Sequence, residues 1–191
     1  MGKGRLEAFT DGVLAIVITI MVLELKVPHE TDLAGILTSL PLLSAYLLSY
    51  VNVGIFWLNH HHMMHATDRV DGRVLWANLA LLFWLSLVPF VIRWMDEAGI
   101  TAWPTAAYGF VLTMAAISYS ALQWALVARN GRSSRLAEAI GDDLKGKTSL
   151  ALYALSIPLA FVHPWISIGL YIAVALMWLV PDRRIEKHLK D

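Results

Sequence analysis

Apolar residues in this chain gather into six long runs, and polar or turn-forming pieces divide them. The runs extend roughly from Phe9 to Leu25, Leu40 to Met63, Val74 to Trp94, Thr105 to Ala128, Thr148 to Val162 and Trp165 to Val180. A helix crosses the hydrocarbon core of a bilayer with about 20 mostly apolar residues, within a range of about 17–25. Five of the runs are near that length or only a little under it, and the fifth in order is the short one. The dividers are Lys26-Val27-Pro28-His29-Glu30, Asp68-Arg69-Val70-Asp71-Gly72, Asp96-Glu97-Ala98-Gly99, Arg129 through Lys147, and the pair His163-Pro164. Proline and glycine at these joints suit helix ends. Ten-residue segments of alternating polarity, which a membrane barrel needs, do not stand out. The pattern predicts an all-α integral membrane protein with six transmembrane helices in one domain, residues 1–191.

Composition agrees and narrows the classes. Of 191 residues, 58% are hydrophobic and 16% charged, against about 25% charged in soluble domains. Mean hydropathy is +0.59. Disordered chains are poor in large apolar residues, so that class is excluded. The 15 basic and 15 acidic residues leave no net positive charge to neutralise phosphates, which argues against nucleic-acid binding. With no cysteine, there is no disulfide framework and no cysteine-ligated metal site.

The basic residues are unevenly placed. Lys3 and Arg5 precede the first run, Arg69 and Arg73 follow the second, and Arg129, Arg132, Arg135, Lys145 and Lys147 follow the fourth. Arg183, Arg184, Lys187 and Lys190 follow the sixth, and only Lys26 and Arg93 fall on the other side. Cytosolic loops carry the excess of Lys and Arg. The expectation is a multi-pass protein of the plasma membrane with both termini cytoplasmic. Trp94, Trp103, Trp165 and Trp178 lie near run ends, where an aromatic belt would put them. The basic start and apolar run also resemble a signal peptide, but Glu7 and Asp11 interrupt it and no small-x-small cleavage site follows. It is read as a retained helix.

Several local patterns invite chemistry. Gly141-Asp142-Asp143-Leu144-Lys145-Gly146-Lys147-Thr148 fits the P-loop consensus. That mechanism needs a strand before the loop and free N–H groups within it. Here a membrane span follows and two aspartates would repel phosphate, so no nucleotide is expected. Just upstream, residues 133–140 are expected to form a short amphipathic helix, with Leu136, Ile140 and Leu144 toward the membrane surface. His60-His61-His62 and His65 form a second cluster. His61 and His65 are one turn apart, yet two ligands are few for a tight site. No metal is expected, although metal binding or pH sensing by His60–His65 stays open.

The first run holds the third pattern. Asp11 lies near the start of the hydrocarbon region, where an ionisable group is costly and normally has a partner. An ordinary interfacial carboxylate fits equally well. Ile16, Ile20 and Leu23 follow helical spacing in one stripe with Thr19 beside it. By spacing alone such a stripe is packing before it is pore.

Arg5-x-x-x-Phe9-Thr10-Asp11, followed by Gly-Val-Leu-Ala-Ile, resembles the first helix of the transmembrane protein 175 family of potassium channels, whose signature is Arg-x-x-x-Phe-Ser-Asp. Thr10 keeps the hydroxyl of the family's serine. Phe56-Trp57-Leu58-Asn59-His60-His61, Trp76-Ala77-Asn78-Leu79 and Val88-Pro89-Phe90 look like its bacterial single-repeat branch. The likeness covers the first half of the chain; the second half matches in span count and length.

The resemblance implies a homotetramer in a lipid bilayer, with the first helix of each six-helix subunit lining a central pore. It implies an aliphatic constriction at Ile16, followed by Ile20 and Leu23, with the Thr19 hydroxyl beside the permeant potassium ion. Selectivity over sodium would be modest. Arg5, Phe9, Thr10 and Asp11 would form a structural motif packed away from the ion path, with Trp57, His60 and Asn78 as its partners. No cofactor and no enzymatic activity are implied. The competing reading is a proton-coupled carrier or membrane enzyme using Asp11, His60 and Glu24, although paired broken helices of an inverted repeat are not seen.

Overall fold

A computed structural model describes residues 2–25, 27, 33–131 and 133–179. Outside the described residues lie Lys26, Arg132, Arg183, Arg184, Lys187 and Lys190, and the expected end of the sixth run at Val180. The described residues form eight α-helices: α1 (Lys3–Leu23), α2 (Leu33–His65), α3 (Gly72–Ser86), α4 (Val88–Ala98), α5 (Ala102–Asn130), α6 (Arg135–Ile140), α7 (Leu144–Val162) and α8 (Pro164–Leu179).

Among the described residues, four stretches are long and apolar enough to cross a membrane: Lys3–Leu23, Gly35–His65, Gly72–Ala98 and Ala102–Asn130. The third of these is α3 and α4 together. The 19 residues of α7 carry Lys145 and Lys147 in the first turn, and α8 is an apolar helix of 16 residues.

The expected single helix from Val74 to Trp94 is therefore two. Leu87 lies between them, and its N–H turns back to the Trp84 carbonyl at 3.2 Å. Pro89 is the physical reason. It has no N–H to continue the ladder, but its fixed φ suits the first turn of a new helix. The second run is also longer than expected, since α2 begins before Leu40 and continues through Pro41.

Helix starts follow local chemistry. The Asp71 carboxylate accepts from the N–H groups of Arg73 and Val74 at 3.0 and 3.1 Å and caps α3. Ser134 caps α6 by accepting from the Ala137 N–H at 3.2 Å. Leu136 of α6 is buried in the core rather than turned to a membrane surface, while Leu144 is exposed. Ile140, also expected at the membrane surface, is partly buried against the same core.

The long helix α5 is the hub and packs against α3, α4, α7 and α8. The first helix, α1, packs against α2, α3 and α4. Its buried line is Leu6, Thr10, Leu14, Val17 and Met21, spaced at about one helical turn. Beyond Asp11 the opposite side is apolar as well, apart from Thr19, and exposed. A helix that is apolar all round is suited to lipid or to another protein surface, not to water.

Candidate functional site

The two sides of α1 separate the residues singled out in the sequence. Thr10 stands in the buried line, and Asn78 of α3 donates its side-chain N–H to the Thr10 hydroxyl at 2.9 Å. The Asn78 oxygen then faces His60 of α2, with His60 Nε2 at 2.9 Å. An amide oxygen only accepts, so this arrangement assigns the proton to Nε2. All three residues are buried. The chain Thr10–Asn78–His60 thus joins α1, α3 and α2 where no water offers substitute partners.

Asp11, one residue on, points to the other side of the helix. Its carboxylate accepts from the Trp57 indole N–H at 2.8 Å. Trp57 stacks on His61, with ring centroids 5.9 Å apart, and His61 stacks on His65 at 6.3 Å. Asp11 and His60 therefore have different hydrogen-bond partners. Arg5 and Phe9 lie on the exposed side of the helix start.

Ile16, Ile20 and Leu23 share the exposed side at 59%, 40% and 79% of full accessibility. The Thr19 hydroxyl beside them donates into its own helix, to the carbonyls of Ala15 and Ile16, each at 3.0 Å. An open groove of about 450 Å³ runs between this stretch and the α3–α4 break, with Ile16 and Ile20 on one wall and Pro89 and Phe90 on the other. Glu24 closes the helix and meets Arg93 of α4 at 3.3 Å.

A second buried network was not singled out in the sequence. Tyr108 of α5 accepts from Ser49 and Asn52 of α2 at 2.9 and 3.4 Å, and Tyr153 of α7 donates to Asn52 at 3.1 Å. Tyr171 of α8 donates to the Thr105 carbonyl at 2.9 Å and lies 3.1 Å from the Ser156 hydroxyl. Gly109 makes room for this contact, since a Cβ there would run into the Tyr171 and Ser156 hydroxyls. The available signal was isolated Tyr, Ser and Asn within apolar runs, each of which needs a partner in a membrane.

The model of the family described as endosomal/lysosomal potassium channel TMEM175 matches residues 5–89, which contain the motif, both of its anchoring helices and the α3–α4 break. A protein of Chryseobacterium sp. named a potassium channel is 50% identical over 191 residues, the full length of both chains. This chain belongs to the TMEM175 family. Another relative, a potassium channel of Streptomyces collinus, is 31% identical over 92% of this chain and 91% of its own. The crystal structure of a lysosomal potassium-selective channel TMEM175 homolog from Chamaesiphon minutus has a TM-score of 0.78 and 29% identity. It covers 93% of this chain and 96% of that one. The family and these relatives are ion channels, not enzymes.

The remaining patterns look ordinary in this TMEM175 chain. Gly141–Thr148 runs from the end of α6 into the first turns of α7, so a helix stands where a P-loop has its strand. Asp143, at a φ of 42°, caps α7 by accepting from the Gly146 N–H at 3.2 Å. The loop's own carboxylate thus occupies an N–H that a P-loop offers to phosphate. Among the described residues, no group of three or more His, Cys, Asp or Glu could hold a metal ion.

Proposed function

We propose that this chain is a potassium channel of the plasma membrane. Four copies of a six-span subunit surround a pore lined by α1, and both termini lie in the cytosol. The observation that carries this reading is the division of α1. One side is tied into the subunit by Thr10 and the buried line, and the other presents Ile16, Thr19, Ile20 and Leu23 uncovered. The names of the bacterial relatives support potassium as the permeant ion. The bias of basic residues supports the orientation. The fifth and sixth spans are α7 and α8.

In this reading Ile16 forms the constriction, and Ile20 and Leu23 form the next rings outward. Four aliphatic side chains close a pore by excluding water from it. When the ring is wider, an ion still sheds part of its hydration shell. Potassium holds water less tightly than sodium, so the barrier favours potassium modestly. Thr19 lowers that barrier with an oxygen next to the ring. Thr10 and Asp11, through Asn78, His60 and Trp57, hold the cytosolic end of the pore helix, and Arg5 and Phe9 complete the motif on its exposed side.

The test is single-channel recording of reconstituted protein under bi-ionic potassium and sodium. The expected currents reverse toward the potassium potential, and Ile16→Asn, which makes the constriction wettable, raises leak conductance. An Ile16→Asn variant with unaltered conduction would overturn the pore assignment. Saturable, pH-driven uptake without current would overturn the channel in favour of a carrier.

A further inference from the structure

The two ends of α1 are attached by different chemistry. At the motif end the links are hydrogen bonds, two of them buried and between neutral side chains and a third, exposed, from the Trp57 indole N–H to the Asp11 carboxylate. At the far end the link is ionic. Arg93 lies 3.3 Å from Glu24 and 3.1 Å from Glu97, one turn along α4. One guanidinium is shared between a carboxylate on α1 and a carboxylate on its own helix. Glu97 holds the Arg93 side chain along α4, and Glu24 brings the end of α1 to it. A guanidinium suits this task because its several N–H groups form a rigid fork.

The groove described above makes this link matter. Between α1 and α4, apolar packing is open: Ile16 and Ile20 face Phe90 across it, and Phe90 is 64% exposed. Met21 fixes the opposite side of the helix, where it is fully buried. On the groove side, the Glu24–Arg93 pair closes the end of the gap. The break at Leu87 contributes too. It restarts the helix at Val88, so the position of Arg93 is set by α4 and its packing on α1, α2 and α5.

We propose that Arg93 is the positioning residue for the outer end of the pore helix. By bridging Glu24 to Glu97 it fixes the distance between α4 and the last turns of α1, and with it the stance of the Ile20 and Leu23 rings. This rests on the pore reading of α1. An ion pair this exposed contributes little to folding. The same small energy is enough to shift the balance of two pore states by several-fold.

The assembled channel should be recorded with Arg93→Gln, Glu24→Gln, both together, Arg93→Lys, and the exchange of Glu24→Arg with Arg93→Glu. The two single neutralisations change charge in opposite senses but break the same link. They are expected to move the open-to-closed ratio in the same direction, by about two- to fivefold. The double variant should add nothing further, because the two residues act as one unit. Arg93→Lys and the exchanged pair should restore part of the balance. Assembly and melting temperature should stay near those of the parent, which separates positioning from simple folding.

Opposite changes in unitary conductance that vanish at high salt, with gating untouched, would mean that the pair acts only as charge at the mouth, and the proposal falls. It falls as well if none of the variants alters gating. If Arg93→Gln does not assemble, the exchanged pair is compared with Glu24→Gln: gating closer to the parent than that of Glu24→Gln supports the link, and gating shifted as far or farther refutes it. Ile16→Asn is recorded alongside. Conduction unchanged by Ile16→Asn removes the pore reading itself. Conduction changed by Ile16→Asn but not by the pair variants removes Arg93 alone.

Discussion

At the start of α1, one asparagine joins three helices; among α2, α5, α7 and α8, the same task is divided among three tyrosines. Asn78 uses its donor on Thr10 and its acceptor on His60, so removing it leaves two buried groups unpaired. The tyrosine side is built with overlap. Asn52 meets both Tyr108 and Tyr153, Tyr108 also meets Ser49, and the Ser156 hydroxyl reaches the Tyr153 carbonyl at 2.6 Å as well as Tyr171. A link with one member is sensitive to single changes. A mesh loses one strand and keeps the others. The first arrangement suits the anchor of a helix with a functional face, the second a scaffold.

The comparison breaks most directly at Asn78. Asn78→Ala is expected to destabilise the protein by about 3 kcal/mol, since each buried group left unpaired costs about 1–3 kcal/mol. Thermal melting of the reconstituted protein reads this, and a loss no larger than that of a tyrosine variant would contradict the contrast. Gly109→Ala comes next. It attacks the mesh by volume rather than by bonds, forcing a methyl against the Tyr171 and Ser156 hydroxyls. The expected cost is about 1–3 kcal/mol, with conduction through surviving channels unchanged. Tyr171→Phe should cost least, about 1 kcal/mol, because Ser156 retains the Tyr153 carbonyl and the Thr105 carbonyl alone loses a donor. A larger loss for Tyr171→Phe than for Asn78→Ala would invert the roles assigned to the two networks.

How far the sequence carries depends on which residues are asked about. The helices follow from the length of apolar runs, because bilayer thickness and helix rise are fixed quantities. The break at Leu87 does not follow, because apolarity continues on both sides of it and Pro89 can sit inside a span or begin a helix. Leu136 shows another limit. An amphipathic stripe states that one face must be covered, but protein and membrane cover it equally well.

At the candidate site, Thr10, Asp11, Trp57, His60 and Asn78 could be selected as polar groups in apolar surroundings, helped by the family resemblance. Which one meets which depends on helix rotation, and that separates Asp11 toward Trp57 from Thr10 toward Asn78. Partners in the tyrosine mesh lie 56 to 101 residues apart where they join α2 to α5 and α7. No local spacing records such pairs. Arg93 was visible as one of two basic residues on the sparse side, but its bond to Glu24 depends on the course of α4 after the break.

The small detail at Thr19 has a consequence for which ions the proposed pore admits. Its single hydroxyl hydrogen is directed into the backbone, to the Ala15 and Ile16 carbonyls. What remains toward the exposed side is an oxygen with lone pairs and no proton to give. Such a group can solvate a cation and has nothing to offer a chloride. Discrimination between ions of opposite sign would then be built into the bonding of a neutral residue, without a charged side chain in the lumen.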